Sequence, residues 1–225
     1  MKHLPTILLL GCLLVPAGLV AAWLGSADES LRNATPAAAG VPLASASEDA
    51  YCSPQLKQVL RRVAGSCGLL ENGGRGCKPT DARVVAALSG SDFNALFKPL
   101  AHRARIIQFD AEQSSLDGSA QQLVEQSWGE QRGASFFFVV ARASADGATM
   151  GNQNLSEQRA EAVLKHLQTK FDDPDLKREI GLLWLGEEYA PLTTEFCKWT
   201  RSREGACSDK DINRSAFVAW IDCTI

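Results

Sequence analysis

Short apolar runs alternate with helical patterns across the second half of the chain, and that alternation sets the expected fold. Ile107 and Phe109 alternate as a strand does. Leu116, Ala120, Leu123, Val124 and Trp128 then recur at helical spacing. Phe136, Phe137, Phe138, Val139 and Val140 form an aromatic and β-branched run suited to a central strand. Ala160, Val163, Leu164, Leu167 and Phe171 mark a second amphipathic helix. Residues 180–185 and 216–221 are two further apolar runs, separated by a long loop bracketed by cysteines. The order strand, helix, strand, helix, strand, loop, strand predicts an α/β two-layer sandwich, a mixed sheet with both helices on one face. Ahead of it, Leu56, Val59, Leu60 and Val63 predict a helix opening at Ser53-Pro54, and residues 80–88 and 92–100 predict two shorter ones.

The amino terminus reads differently. Residues 4–24 carry no charged side chain, and at about 1.5 Å per residue they are long enough to cross roughly 30 Å of hydrocarbon. A membrane helix over residues 1–25 is expected. Lys2 precedes it and Asp28 and Glu29 follow, which keeps the amino terminus cytoplasmic and sends the remainder across. The apolar run continues well past Leu9-Leu10-Gly11-Cys12, favouring a retained anchor over a cleaved signal or a lipoprotein signal. Residues 26–50, rich in Ala, Ser, Pro and Gly, have the composition of a flexible tether. The expected divisions are an anchor (1–25), a linker (26–50), a helical cysteine-containing region (51–104) and the α/β domain (105–225).

A chain of 225 residues with 45 % hydrophobic content suits one ordinary domain plus attachments. Its formal net charge of −3 and pI near 5.7 argue against a nucleic-acid binder, which needs a basic face. Six of the seven cysteines, Cys52, Cys67, Cys77, Cys197, Cys207 and Cys223, lie beyond the apolar segment. An even set there reads as three disulfides in an oxidising compartment. Cys197 and Cys207 bracket a polar loop and are expected to pair. Cys223 then takes a partner from Cys52, Cys67 and Cys77, with the connectivity open. No Cys-x-x-Cys or Cys/His pair at ligand spacing supports a metal site, and no cofactor is implied. The glycine-rich stretch 71–76 lacks the lysine ending of a phosphate loop. Ala64-Gly65-Ser66-Cys67-Gly68 lacks the first glycine of a nucleophile elbow and follows a helical pattern. The reading is therefore not an enzyme.

Four sets of residues carry a resemblance: Ile107-Gln108-Phe109-Asp110 with Leu116, Asn152-x-x-Leu155-Ser156-x-x-Arg159-Ala160, Gly186-Glu187 followed by Pro191, and Asn213-Arg214 before the last run. In order and spacing they resemble the OmpA-like domain, also found in MotB-type stator proteins, a periplasmic module that binds peptidoglycan. The resemblance covers residues 105–225. It implies a β-α-β-α-β-β mixed sheet and a ligand with both an ammonium and a carboxylate, the diaminopimelate of a wall stem peptide. It also implies that Arg159 clasps the carboxylate through paired hydrogen bonds. Arg159 is expected in the first turn of its helix, with Asn154 capping, beside the positive end of the helix dipole. The aspartate that would meet the ammonium is matched by Ser144, and Ala141-Arg142-Ala143-Ser144 replaces that whole motif. Asp146, two residues on, is the acid nearest in sequence. Asn152, Asn213 and Arg214 complete the expected wall-binding set. Trp184 stands where the family often has glycine, and Ser215 departs from its usual arginine.

These readings imply an inner-membrane protein of Gram-negative type, with its folded part in the periplasm. It would tether a partner complex to the wall. The alternative is a periplasmic scaffold that keeps the fold and has abandoned wall binding. The apolar segment holds no acidic residue to carry ions, so no motor is implied. Trp128, Trp184, Trp199 and Trp220 read as packing residues and not as a stacking platform, and His102 and His166 as surface residues.

Overall fold

The computed structural model describes residues 51–66, 79–130, 136–173, 176–187 and 189–223. The expected membrane helix, the linker, Cys67, Cys77 and the glycine-rich stretch lie outside the described residues. Among the described residues no helix is long and apolar enough to cross a membrane.

In chain order the elements are α1 (Pro54–Ser66), β1 (Thr80–Asp81), α2 (Ala82–Val85), α3 (Gly90–Ala95), a 3-10 turn (Lys98–Leu100), β2 (Ala104–Gln108), α4 (Gly118–Gly129), β3 (Phe136–Ala141), α5 (Thr149–Phe171), α6 (Leu176–Glu179), β4 (Ile180–Trp184), a second 3-10 turn (Thr194–Lys198), α7 (Asp209–Asn213) and β5 (Ser215–Ile221). Local chemistry sets several of these starts. Asp117 accepts from the Ala120 amide at 2.8 Å and caps α4. Ser89 caps α3, and Ser208 with Asp211 forms a reciprocal capping box on α7.

The sheet order is β1-β4-β3-β5-β2, with β3 parallel to β4, and β5 antiparallel to both β3 and β2. From β2 onward the strands and long helices follow the expected β-α-β-α-β-β order. Helices α4 and α5 cover one face, where the Trp128 ring meets Phe137 edge-on at 5.3 Å. Two expectations are corrected on the other face. That face is not bare, since Phe97 stacks on Phe138 and α1 packs against β4, which turns the two-layer sandwich into three layers. Residues 80–88 are not one helix either. Thr80 and Asp81 are extended because they pair with Leu183 and Trp184, and only four helical residues follow.

Coverage on both faces explains why β3 is buried at every position and why both Ile106 and Ile107 are fully buried. Residues before and after 105 share one core within one compact unit. Close packing at the α1 layer is tightest at Gly181, where an added β-carbon would overlap the Phe136 ring and come to 2.9 Å from Val63 Cγ1. Gly181→Ala is therefore expected to destabilise by about 1–3 kcal/mol through overpacking. Thermal unfolding checks this, and an unchanged midpoint would show that the ring can rotate aside.

Two disulfides lie among the described residues, Cys197–Cys207 and Cys52–Cys223. The first is the expected local pair, and the second gives Cys223 one of its three candidate partners. Trp128, Trp199 and Trp220 pack as read. Trp199 lies on Phe196 and Phe217, and Trp220 holds the Arg103 guanidinium 4.3 Å above its ring. His166 is half-buried against Glu125 at 3.0 Å and is not a free surface residue.

Candidate functional site

Strand direction gathers the candidate residues at one end of the sheet. The carboxyl ends of β2, β3 and β4 lie beside the start of β5, because β5 runs antiparallel to β2 and β3. Residues following β3 (Ser144, Asp146), opening α5 (Asn152), following β4 (Glu187) and closing α7 (Asn213, Arg214) meet there.

The Asn152-x-x-Leu155-Ser156-x-x-Arg159-Ala160 pattern lies along one face of α5, where Asn152, Ser156, Arg159 and Ala160 are all buried. Each polar member holds a different loop. The Asn152 amide donates to the Asp146 carbonyl at 2.9 Å and to Glu187 Oε2. Ser156 Oγ accepts from the Gly186 amide at 3.0 Å, fixing a turn whose glycine has φ +66°. Arg159 donates from Nε to the Gln113 carbonyl (2.9 Å), from Nη1 to that of Arg142 (2.8 Å) and from Nη2 to that of Asp110 (3.0 Å). The loops after β2, β3 and β4 are thus all fastened to one helix face.

Three expectations about Arg159 are corrected. Helix α5 opens at Thr149 directly after the Gly147 turn (φ +96°), with Ala148 at its cap, so Asn154 is exposed within the helix and caps nothing. Arg159 consequently sits well inside the helix, beyond the reach of its terminal dipole. Its side chain is 0 % exposed, with three donors already on carbonyls and its guanidinium 5.1 Å from the Phe109 ring centre. It does not stand at the mouth of a pocket. Burial, then the neighbouring Arg214 charge, lowers its pKa to about 10, which leaves it cationic at neutral pH.

Asp146 is also engaged within the fold. It meets Lys210 at 2.8 Å and Arg214 at 3.1 Å, accepts from Ser144 Oγ at 3.2 Å, and those contacts hold its carboxyl below the ordinary aspartate range. Arg214 Nε also donates to Ser144 Oγ at 3.3 Å. Asn213 works on the backbone, accepting from the Leu192 amide at 2.7 Å and donating to its carbonyl at 2.8 Å, which seats the segment after Pro191 against α7.

A cleft of about 300 Å³ opens at this corner, lined by Ala143, Ser144, Ala145, Glu187, Pro191, Leu192, Thr193, Asp209, Lys210 and Asn213. It offers apolar walls between an acid, Glu187, and a base, Lys210. Ser144 and Asn213 line it directly. Asn152, Asp146 and Arg214 bond to lining residues, to Glu187, to Lys210 and Ser144, and to Ser144 respectively, and Arg159 is buried and does not line it.

Sequence reasoning overlooked four contributors. Glu187 lies within the Gly186-Glu187 pair, to which the resemblance gives no binding role. Lys210 sits on a five-residue helix that no periodicity announces. Arg142 and Asn94 form a buried pair: Arg142 Nη2 donates to Asn94 Oδ1 at 2.9 Å, and both side chains donate to the Ala190 carbonyl, at 3.1 and 3.0 Å. A lone arginine closing an apolar strand was the signal available. Burial lowers its pKa to about 9.

Neither a family model nor a curated protein sequence matches the chain. Solved structures do. The peptidoglycan-associated lipoprotein from Burkholderia pseudomallei is 22 % identical over 54 % of this chain and 92 % of its own, with a TM-score of 0.41. The OmpA-like domain of FopA1 from Francisella tularensis is 17 % identical over 53 % and 74 %, with a TM-score of 0.36. The cell wall anchor of the T6SS from Pseudomonas aeruginosa is 15 % identical over 64 % and 99 %, with a TM-score of 0.37.

Proposed function

We propose that this protein is a non-enzymatic cell-envelope protein that binds peptidoglycan non-covalently. Its cleft takes the zwitterionic diaminopimelate end of a stem peptide. Residues 1–25 anchor it in the inner membrane, residues 26–50 give it reach, and the folded unit tethers a partner complex to the wall from the periplasm. The carrying observation is convergence: Ser144, Glu187, Lys210 and Asn213, from separate segments, line one cleft with charges of opposite sign. A ligand bearing both an ammonium and a carboxylate complements such a cleft. Two disulfides among the described residues agree with an oxidising compartment.

Co-sedimentation of the full chain in detergent with purified peptidoglycan tests the reading. Wild-type protein is expected to pellet, and Lys210→Glu to weaken pelleting about tenfold, since it reverses the charge offered to the ligand carboxylate. Free stem peptide should compete. A second reading, a periplasmic scaffold without wall binding, is favoured by the full burial of Arg159 and by Ser144 at the aspartate position. Failure of the wild-type chain to pellet would leave that reading standing.

A further inference from the structure

The acids at this corner differ in what holds them. Asp146 faces two cations, Lys210 and Arg214, and Asp211 lies 3.8 Å from Arg214 while accepting from Ser208. Glu187 is held by neutral donors, Thr149 Oγ1 at 2.8 Å and the Asn152 amide. Among the described residues no cation forms an ion pair with it. A carboxylate oriented by neutral donors, on a residue that lines a cleft and with no internal ion pair, is prepared for a cation from outside.

We infer that Glu187 receives the ammonium of the bound ligand, a primary amine on a zwitterionic peptide end; the inference rests on the wall-binding reading above. Three placements carry it. The turn bearing Glu187 is fixed from both sides, by Ser156 on the Gly186 amide and by the Ala143 amide donating to the Gly186 carbonyl at 3.0 Å. Glu187 is partly exposed and lines the cleft beside Ser144. Lys210, which meets Asp146 at 2.8 Å and is otherwise exposed, lines the same cleft, so one molecule can meet both signs. Glu187 thereby supplies from the loop after β4 the negative charge that Ser144, after β3, does not. Asp209 also lines the cleft, so the control is an acid outside it, Glu161, which is exposed farther along α5.

The test measures binding of the full chain in detergent to two synthetic stem tripeptides, one ending in diaminopimelate with its side-chain amine free and one with that amine acetylated. Wild-type protein is expected to prefer the free amine by roughly tenfold to a hundredfold. Glu187→Gln, which keeps an oxygen for its neutral donors, should bring the two peptides within about twofold of one another. Glu187→Asp should recover part of the preference, and Glu161→Gln should keep all of it. A preference that survives Glu187→Gln, or a wild-type chain that binds both peptides equally, overturns the assignment while leaving wall binding intact. A wild-type chain that binds neither peptide overturns wall binding and the assignment together. A Glu187 serving only to brace α5 would change the unfolding temperature without changing the ratio of the two affinities.

Discussion

Arg159→Ala is expected to lose about 3–5 kcal/mol of folding stability, read as a lower urea midpoint at unchanged slope. The guanidinium is fully buried, and its removal takes a donor from the carbonyls of Gln113 and Arg142 and leaves that of Asp110 with the Gln113 amide. A buried acceptor without a partner costs about 1–3 kcal/mol, and the loss of a large side chain under Phe109 adds a cavity. Arg159→Lys should recover little, because one ammonium cannot follow three divergent directions. A loss below about 1 kcal/mol would mean that water replaces the guanidinium at the carbonyls. The size of this effect bears on function as well. Weak wall binding by an Arg159 variant would report a collapsed corner as readily as a lost contact, so Lys210 and Glu187 are the better probes.

The second large effect belongs to Cys52–Cys223. The bond closes a loop with a sequence separation of 171, and constraint of an unfolded chain that long is worth about 2–5 kcal/mol. Cys52→Ser with Cys223→Ser should therefore lower the unfolding midpoint more than Cys197→Ser with Cys207→Ser, whose separation is 10. The reverse ranking would overturn the chain-entropy account. Part of the junction survives without the bond. Arg103 donates to Asp222 at 2.8 Å and to Tyr51 Oη at 2.8 Å, between the Tyr51 and Trp220 rings.

Much of the fold was legible because the periods are strong. The aromatic and β-branched run from Phe136 to Val140 suited a central strand, and the helix ending at Phe171 declared itself by spacing. What escaped depends on distant partners. Thr80 and Asp81 are extended because β4 offers an edge, which nothing near them in sequence announces. Helix α5 starts earlier than its apolar positions suggest, since Asn152 faces inward to reach the Asp146 carbonyl and Glu187, and a polar residue turned inward breaks no visible pattern. Of the residues expected to bind, Ser144, Asp146, Asn152, Asn213 and Arg214 gather at one corner of the fold. Sequence misjudged roles. Arg159 and Asp146 read as groups open to a ligand, but burial and internal pairing occupy them. Exposure is a property of the assembled layers and not of spacing.

Strand β5 runs from the cleft, at Asn213 and Arg214, to Asp222 beside Tyr51. Its seven residues span roughly 20 Å. Under the proposed wall binding, tension between the cleft and whatever precedes Tyr51 would travel lengthwise along this strand. Force arriving at Cys52 crosses the sulfur bridge to Cys223 and loads the hydrogen bonds to β2 and β3 in shear, all at once, without having to unzip α1 first.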